Sequence, residues 1–198
     1  MQDVYLTVTD VAKGYYTEKR SKFYAFLHHV ETPDEVRQLQ QQYKKEYYDA
    51  RHVCYAYRLG PDGADFRAND DGEPGSTAGK PILGALLSAE ISDAVIFVIR
   101  YYGGVNLGTG GLIVAYREAS QAAIADARER SLIKEKQVEE QVVHTFAYPQ
   151  LNAVMRIVKD MNLRIVAQDF QTTCSITLSA RKSQVPQLKE RLRAIDFE

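Results

Sequence analysis

Cysteine is scarce in this 198-residue sequence, where only Cys54 and Cys174 occur. The two lie 120 positions apart and form no Cys-x-x-Cys spacing. This scarcity argues against a disulfide framework and against a structural zinc site, so we expect two reduced thiols. Cys54 lies within a predicted strand and lacks the helix-start setting that lowers a thiol pKa, so we expect no covalent nucleophile.

Long hydrophobic runs and a net charge of one sign are also missing. No apolar stretch reaches the roughly 18 residues of a membrane-spanning helix, and the first residues do not form a basic segment followed by an apolar one. We therefore expect a soluble, cytoplasmic protein with no membrane partner. The formal net charge of −1 at pH 7 provides no global field for nucleic acid, so any RNA binding must come from a local patch.

The composition, with 45% apolar and 26% charged residues, supports one large or two small folded domains. A charged stretch at residues 128–136 indicates a boundary, which divides the chain into residues 1–134 and residues 138–198. In the second part, patterns of strand, helix, strand, strand and helix follow one another. This order is typical of an α+β, ferredoxin-like module, although no pattern for the last strand of that fold is present.

The first part also combines predicted strands and helices. Residues 5–11 and 23–30 are predicted strands of a β-hairpin, joined by the polar segment 13–22. A capping threonine followed by proline predicts a helix from Pro33 to about Tyr47. The remaining predicted elements are a strand at 53–59, a helix at 82–90 capped by Ser76 or Thr77, a strand at 94–99 and a helix at 112–128.

The most informative segment runs from Arg100 to Gly111 and carries five glycines behind two tyrosines, directly after a β-branched apolar run. Glycines allow positive φ angles and a close approach of a ligand to the backbone. Because a helical pattern follows, this segment is predicted to deliver free backbone amides to a helix N-terminus, where anions bind. The segment Asp70–Pro81 shows the same order of polar loop and helix.

Two familiar phosphate-binding motifs do not fit these loops. A P-loop would need glycine where Pro74 stands, and Pro81 follows Lys80 in place of serine or threonine. A dinucleotide-binding fingerprint fails because Ile113 occupies the position of its third glycine. Two alternatives stay open: anion-binding loops, or tight turns that pack helix against sheet.

The candidate ligand-binding residues offer backbone amides, polar side chains or an aromatic ring. They are Asp70, Thr77, Gly79, Lys80, Arg100, Tyr101, Tyr102, Gly103, Gly104, Asn106, Gly108, Thr109 and Gly110. The guanidinium of Arg100 could bind a carboxylate or phosphate, or form an internal salt bridge with Asp71 or Glu73. Tyr101 and Tyr102 alternate, so one should face the core while the other could stack on a base.

Acidic groups cluster ahead of the first loop. Asp70, Asp71 and Glu73 could supply a general base or hold a divalent cation, or could form a solvated turn. Their spacing matches no EF-hand, and we assign no metal ligand. His52, at the start of a predicted strand, could reach the same place. If the protein is an enzyme, we expect the catalytic residues to be His52, Asp71 and Glu73.

Four blocks of the sequence occur in a characteristic order, and they are Ala50–His52, Asp70–Pro74, Thr77–Leu83 and Arg100–Gly108. Together they resemble the IMPACT family, bacterial YigZ type. The resemblance implies an N-terminal α+β domain similar to one in a small-subunit ribosomal protein and in GHMP-type kinases. It also implies a C-terminal ferredoxin-like domain similar to the last domain of elongation factor G. One departure is Ser76, which stands where the family commonly has glycine.

The resemblance further implies a role in translation. Eukaryotic members are linked to the control of translation initiation through a partner of a stress kinase, and carry an additional N-terminal domain that we do not expect here. We expect a translation-associated regulatory protein that binds RNA, a nucleotide or the ribosome through its glycine-rich loops, with a small anionic ligand as a further expected partner. The alternative is a hydrolase or phosphotransfer enzyme that uses His52 and the cluster of Asp70, Asp71 and Glu73. The sequence does not identify a cofactor or an oligomeric state.

Overall fold

The structure, a computed structural model, describes residues 3–171 and 173–196, the last of them by its backbone alone. The chain forms two compact units. The first is Tyr5–Lys136, and the second comprises the described residues from Gln137 onward together with Asp3 and Val4. Both units combine helices with β-sheet, which confirms the predicted α+β class.

The helices and strands are numbered separately along the chain. In the first unit, apart from one terminal residue of β1 and one of β7, they are β1 (Val4–Val8), β2 (Ala12–Glu18), β3 (Ser21–His29), α1 (Pro33–Glu46), β4 (His52–Leu59), β5 (Asp65–Asn69), α2 (Gly79–Ser88), β6 (Ala94–Tyr101), α3 (Gly108–Glu129) and β7 (Ile133–Gln137). In the second unit they are β8 (Glu139–Ala147), α4 (Leu151–Asp160), β9 (Arg164–Phe170), β10 (Thr173–Arg181) and α5 (Val185–Asp196).

The first unit is built on a five-stranded antiparallel sheet with the strand order β2-β3-β6-β4-β5. A separate two-stranded sheet joins β1 to β7. Strand β6 lies at the centre because it is apolar on both faces, and its residues from Ala94 to Arg100 are all buried. Its side chains alternate between two cores: Ile96 packs with α2 and α3 on one face, and Phe97 packs with α1 on the other.

Helix α1 begins directly after the capping threonine that the sequence predicts. The hydroxyl of Thr32 accepts a hydrogen bond from the Glu35 amide, and the Glu35 carboxylate accepts one from the Thr32 amide. Pro33 stands at the first helical position, where its missing amide hydrogen leaves nothing unpaired. The predicted helix is confirmed, and it ends at Glu46.

The predicted hairpin is wrong in its first strand. Segment 13–22, predicted as a connection, is mostly strand, because β2 pairs with β3 through a tight turn at Lys19 and Arg20, both of which have positive φ angles. Polarity misleads here because β2 is an edge strand with one exposed face. Gly14 lets this strand lie against α3, since a Cβ at that position would be only 2.4 Å from the carbonyl oxygen of Ala119.

Other strands and helices also differ from the prediction in their bounds or pairing. The first predicted strand ends at Val8 and pairs with β7, not with β3. Strand β5 was not expected from the sequence, and its residues Asp65–Ala68 are all exposed. Helices α2 and α3 begin at Gly79 and Gly108, earlier than predicted, because each first turn contains glycine, a poor helix former.

The second unit contains a three-stranded antiparallel sheet in the order β8-β10-β9. Its core joins Ile176 and Leu178 of β10 to Val154 of α4 and Leu188 of α5. The succession of strand, helix, strand, strand and helix is the predicted ferredoxin-like one. Across residues 3–171 and 173–196, no helix is long and apolar enough to cross a membrane.

Candidate functional site

The first loop is organised by the carboxylate of Asp70. This group accepts hydrogen bonds from the amides of Ser76 at 2.9 Å, Ala78 at 3.0 Å and Gly79 at 2.8 Å. The expected cap by Ser76 or Thr77 is therefore wrong: Ala78 occupies the N-cap position, and the Thr77 hydroxyl donates to the carbonyl of Pro74. Because Asp70 already satisfies these amides, the start of α2 does not present them to a ligand.

Asp71 anchors the same loop to two neighbouring elements. Its carboxylate accepts hydrogen bonds from the Lys44 ammonium of α1 at 2.6 Å and from the amide of Val53 in β4 at 2.8 Å. Its carbonyl oxygen lies 2.7 Å from Nδ1 of His52, so that nitrogen carries the hydrogen. Asp71 also has a positive φ of 43°, which these contacts hold in place. Both carboxylate oxygens are thus engaged within the fold.

Glu73 lies at the centre of a buried polar network. Its Oε1 accepts hydrogen bonds from Nη1 of Arg100 at 2.5 Å and from the Tyr116 hydroxyl at 2.7 Å. Its Oε2 lies 3.7 Å from Nε2 of His52. Only 8% of Glu73 and 6% of Arg100 are exposed to solvent, so this ion pair is almost completely dehydrated. Of the roles considered for Arg100, the structure shows the internal salt bridge.

Two further buried groups complete the network. The Cys54 thiol donates to the carbonyl of Asp70 and lies 3.4 Å from the Tyr116 hydroxyl. Burial raises the pKa of the Cys54 thiol and of the Tyr116 phenol above their ordinary values, so both keep their hydrogens. Sequence reasoning missed Tyr116, whose only signal is a hydroxyl-bearing ring on the buried face of α3.

Arg100 is also held by aromatic rings. Its guanidinium lies 5.7 Å from the ring centre of Phe23 and 5.6 Å from that of Tyr102. Among the described residues, no hydrogen-bond partner is found for its Nε. The network links α3 and the first loop to β4 and β6, so its groups stabilise the unit that carries the site.

The two tyrosines of the glycine-rich segment differ in exposure. Tyr101 is half-buried, and its hydroxyl donates to the Asp49 carboxylate at 2.8 Å. Tyr102 is 52% exposed. Gly103, directly after them, packs against the β2–β3 turn, where a Cβ would be 2.2 Å from the carbonyl carbon of Arg20. The amide of Gly103 donates to the Ser21 hydroxyl and is therefore already paired.

The rest of the segment leads into α3. Gly104 and Gly108 have positive φ angles of 83° and 69°, which side chains disfavour. The amide of Gly108 donates to the side chain of Asn106 at 2.9 Å. Thr109 and Gly110 then form the exposed first turn of α3, which has no side-chain cap. The predicted presentation of helix amides therefore fits α3 better than α2.

A cleft of about 520 Å³ lies between α2 and α3. Three of the candidate ligand-binding residues, Thr77, Lys80 and Thr109, line it, together with Arg117 and Gln121, which the sequence analysis missed. A smaller hollow of about 320 Å³ shares lining residues with it and extends the groove along both helices to Arg128. None of the described residues that line the groove is acidic.

The predicted site residues therefore separate into two groups. Thr77, Lys80 and Thr109 meet at the cleft, whereas His52, Glu73 and Arg100 belong to the buried network and do not line it. Arg117 could have been predicted from the sequence, because it is a charged residue in the helical pattern of α3 and directly follows Tyr116. Among residues 3–171 and 173–196, no three His, Cys, Asp or Glu side chains come close enough to hold a metal ion.

Comparisons with known proteins identify relatives that span most of the chain. Residues 19–124 match the Impact N-terminal domain. An IMPACT family member of Haemophilus influenzae is 33% identical over 88% of this chain and 84% of its own length, and Escherichia coli YigZ is 29% identical over the same shares. A crystal structure of a hypothetical protein has a TM-score of 0.74 and 27% identity, and covers 100% of this chain and 94% of that one.

Proposed function

The chain belongs to the IMPACT family. From the role in translation that the family resemblance implies, we propose that it is a cytoplasmic, translation-associated protein that binds RNA through the groove between α2 and α3. One observation carries this proposal. The groove combines Lys80, Arg117 and Arg128 with the start of α3, where the N-cap residue Leu107 provides no side-chain cap, and its described lining lacks acidic side chains. Such a surface attracts phosphate groups.

The dimensions of the groove favour a chain of phosphates over a single anion. Arg117 and Arg128 lie on one helix, and a rise of 1.5 Å per residue separates them by about 16 Å along its axis. Lys80 faces the same groove from α2. An isolated phosphate or carboxylate cannot contact charges so far apart, whereas a nucleic-acid backbone can.

An enzyme that uses His52, Asp71 and Glu73 has less support. Both carboxylate oxygens of Asp71 are occupied by Lys44 and by a backbone amide. The Glu73 carboxylate is paired with Arg100 and is only 3% exposed as a side chain. A general base must reach the proton that it removes, and neither carboxylate lies at the surface of the groove.

The proposal is tested by fluorescence anisotropy with a labelled RNA that contains a stem and a single-stranded tail, measured across a salt series. We expect the double substitution Arg117→Ala and Arg128→Ala to weaken binding and to lower the salt slope by about 2, one for each lost phosphate contact. Lys45→Ala is the matched control, because Lys45 is an exposed lysine of α1 outside the groove. No binding at low salt, or a slope that the double variant leaves unchanged, would contradict the proposal.

A further inference from the structure

Near its turn, the β2–β3 hairpin has one face that no helix covers, although Phe26 further along the same face packs against Tyr43 of α1. Helices α2 and α3 pack on the opposite face of the sheet, and α1 packs over its central strands. Side chains alternate along a strand, so Lys13, Tyr15 and Thr17 of β2 share the open face with their partners on β3, which include Tyr24 and Lys22. Lys13, Tyr15, Thr17 and Lys22 are exposed, and Tyr24 is half-buried. We call these five residues the hairpin platform.

The two tyrosine rings of the platform pack against each other, and Tyr24 packs against a third ring, Tyr101. The ring of Tyr15 packs against that of Tyr24, with 5.1 Å between their centres and 46° between their planes. Tyr24 in turn meets Tyr101 edge to face at 6.1 Å. The hydroxyl of Tyr101 is fixed by Asp49, and burial and that carboxylate together raise the pKa of Tyr101 to about 12. Tyr15 is therefore held from one side while 48% of it remains exposed.

The hairpin is strongly basic although the whole chain is nearly neutral. It carries four basic side chains, Lys13, Lys19, Arg20 and Lys22, and one acidic side chain, Glu18. Glu18 lies on the opposite face of β2 from the platform residues, and its carboxylate accepts a hydrogen bond from the Tyr16 hydroxyl on that face. The platform therefore places aromatic surface among positive charges, and none of its own side chains is negative.

We propose that the hairpin platform binds single-stranded RNA, with a base stacked on Tyr15 and the neighbouring phosphates beside Lys13 and Lys22. The class of ligand, RNA, rests on the proposed function. The platform adds that the bound RNA is single-stranded and that Tyr15 contacts a base. Aromatic rings in a basic groove bind single strands because every base has a face that stacks, whereas a duplex keeps its bases inside.

The chemistry of the surface favours a nucleic acid over a protein partner. Tyr15 is the only large hydrophobic side chain that is exposed among the described residues of the hairpin. A stable protein interface buries about 800 Å² on each partner around an apolar centre depleted in lysine. One supported ring between lysines is too small for that role, but it matches the size of one base.

The absence of tryptophan from the chain allows a direct test. The substitution Tyr15→Trp introduces a unique tryptophan at the platform, which can be excited selectively over the tyrosines, and Phe66→Trp is its matched control. Phe66 is an exposed aromatic, 59% accessible, on β5 at the other edge of the same sheet. Each protein is titrated with oligouridine of about eight nucleotides, within the usual site size of such surfaces.

We expect oligouridine to quench the emission of Tyr15→Trp saturably and to leave that of Phe66→Trp unchanged. Adding Lys22→Glu to Tyr15→Trp should abolish the quenching. In anisotropy, Tyr15→Ala should weaken oligouridine binding about tenfold while Tyr15→Phe retains it, because stacking needs the ring and not the hydroxyl. Absent quenching, or equal quenching of both variants, would overturn the proposal. Emission of Tyr15→Trp that changes with protein concentration alone would also overturn it, by assigning the face to a second copy of the chain.

The same titrations separate this inference from the proposed function. The platform and the groove lie on opposite faces of the sheet, so Tyr15→Ala and Arg117→Ala should each weaken binding only at its own surface. If RNA binds with a salt slope that depends on Arg117 but Tyr15→Ala has no effect, only the platform is refuted. If Tyr15→Trp is quenched while Arg117→Ala binds normally, the groove is refuted and the platform stands.

Discussion

Removing the Glu73 carboxylate should destabilise the first unit far more than removing a surface carboxylate. The substitution Glu73→Ala leaves the Arg100 guanidinium charged, 6% exposed and without its partner, and it also removes the acceptor of the Tyr116 hydroxyl. Breaking a buried ion pair by removing one side costs about 3–5 kcal/mol. At about 2–4 °C per kcal/mol for a protein of this size, the melting temperature should fall by roughly 6–20 °C.

The loss in the free energy of unfolding is measured by urea unfolding, followed by far-ultraviolet circular dichroism. Asp34→Ala serves as the control, because Asp34 pairs with Arg37 at the surface, where 71% and 69% of their side chains are exposed. Such a surface pair contributes at most about 1 kcal/mol. A loss for Glu73→Ala no larger than that of the control would refute the reasoning.

A paired substitution tests the mechanism of the loss. Glu73→Leu together with Arg100→Met replaces both charges with apolar groups of similar length, which removes the unpaired charge and the dehydration of two ions. Replacement of a buried ion pair in this way is often neutral or stabilising. We therefore expect the double variant to be more stable than Glu73→Ala. A double variant as unstable as Glu73→Ala would show that the charge left on Arg100 is not the cause.

Three further predictions concern stability. Asp70→Ala should cost about 1–2 kcal/mol in urea unfolding, because the start of α2 loses the carboxylate that accepts from its amides. Gly103→Ala should lower the melting temperature because its Cβ would meet backbone at 2.2 Å, whereas Gly110→Ala, with open space around it, should not. Burial lowers the pKa of His28 from its ordinary 6.5, so below about pH 6.5 the unfolded chain binds a proton that the folded one resists. The free energy of unfolding should therefore fall as pH decreases from 6.5, and His28→Gln should flatten that part of the profile.

The elements that the sequence predicts well are those whose signals are local. Thr32, Pro33 and Glu35 act within one turn, and the helix that they open has the predicted start. The buried strand before Arg100 is also predicted, because a continuous β-branched run favours a strand apolar on both faces over a short helix. Strand β2 was not predicted, because Gly14 is needed for the strand to pack against the backbone of α3, more than a hundred positions later in the sequence.

The buried network shows the same limit at the level of the site. Asp70 caps α2 from eight and nine positions before the amides that it accepts, outside the usual reach of a capping motif. Glu73 has the sequence context of a solvated turn, yet its partners Arg100 and Tyr116 follow 27 and 43 positions later. The sequence offered a salt bridge of Arg100 with Asp71 or Glu73 as one alternative, and only the tertiary contacts select Glu73 and add Tyr116.

The contrast between the two helix starts bears on where the proposed RNA phosphates would bind. At α2 the carboxylate of Asp70 already occupies the amides, and a second negative charge beside it would be repelled. At α3 the neutral side chain of Asn106 accepts from the Gly108 amide, no carboxylate occupies the N-terminus, and Thr109 and Gly110 lie exposed in its first turn. In the proposed RNA complex, α3 and its arginines would therefore provide most of the attraction for phosphate, with Lys80 as the basic residue of α2 that lines the groove. Substitutions along α3 should consequently weaken RNA binding more than equivalent changes at the start of α2.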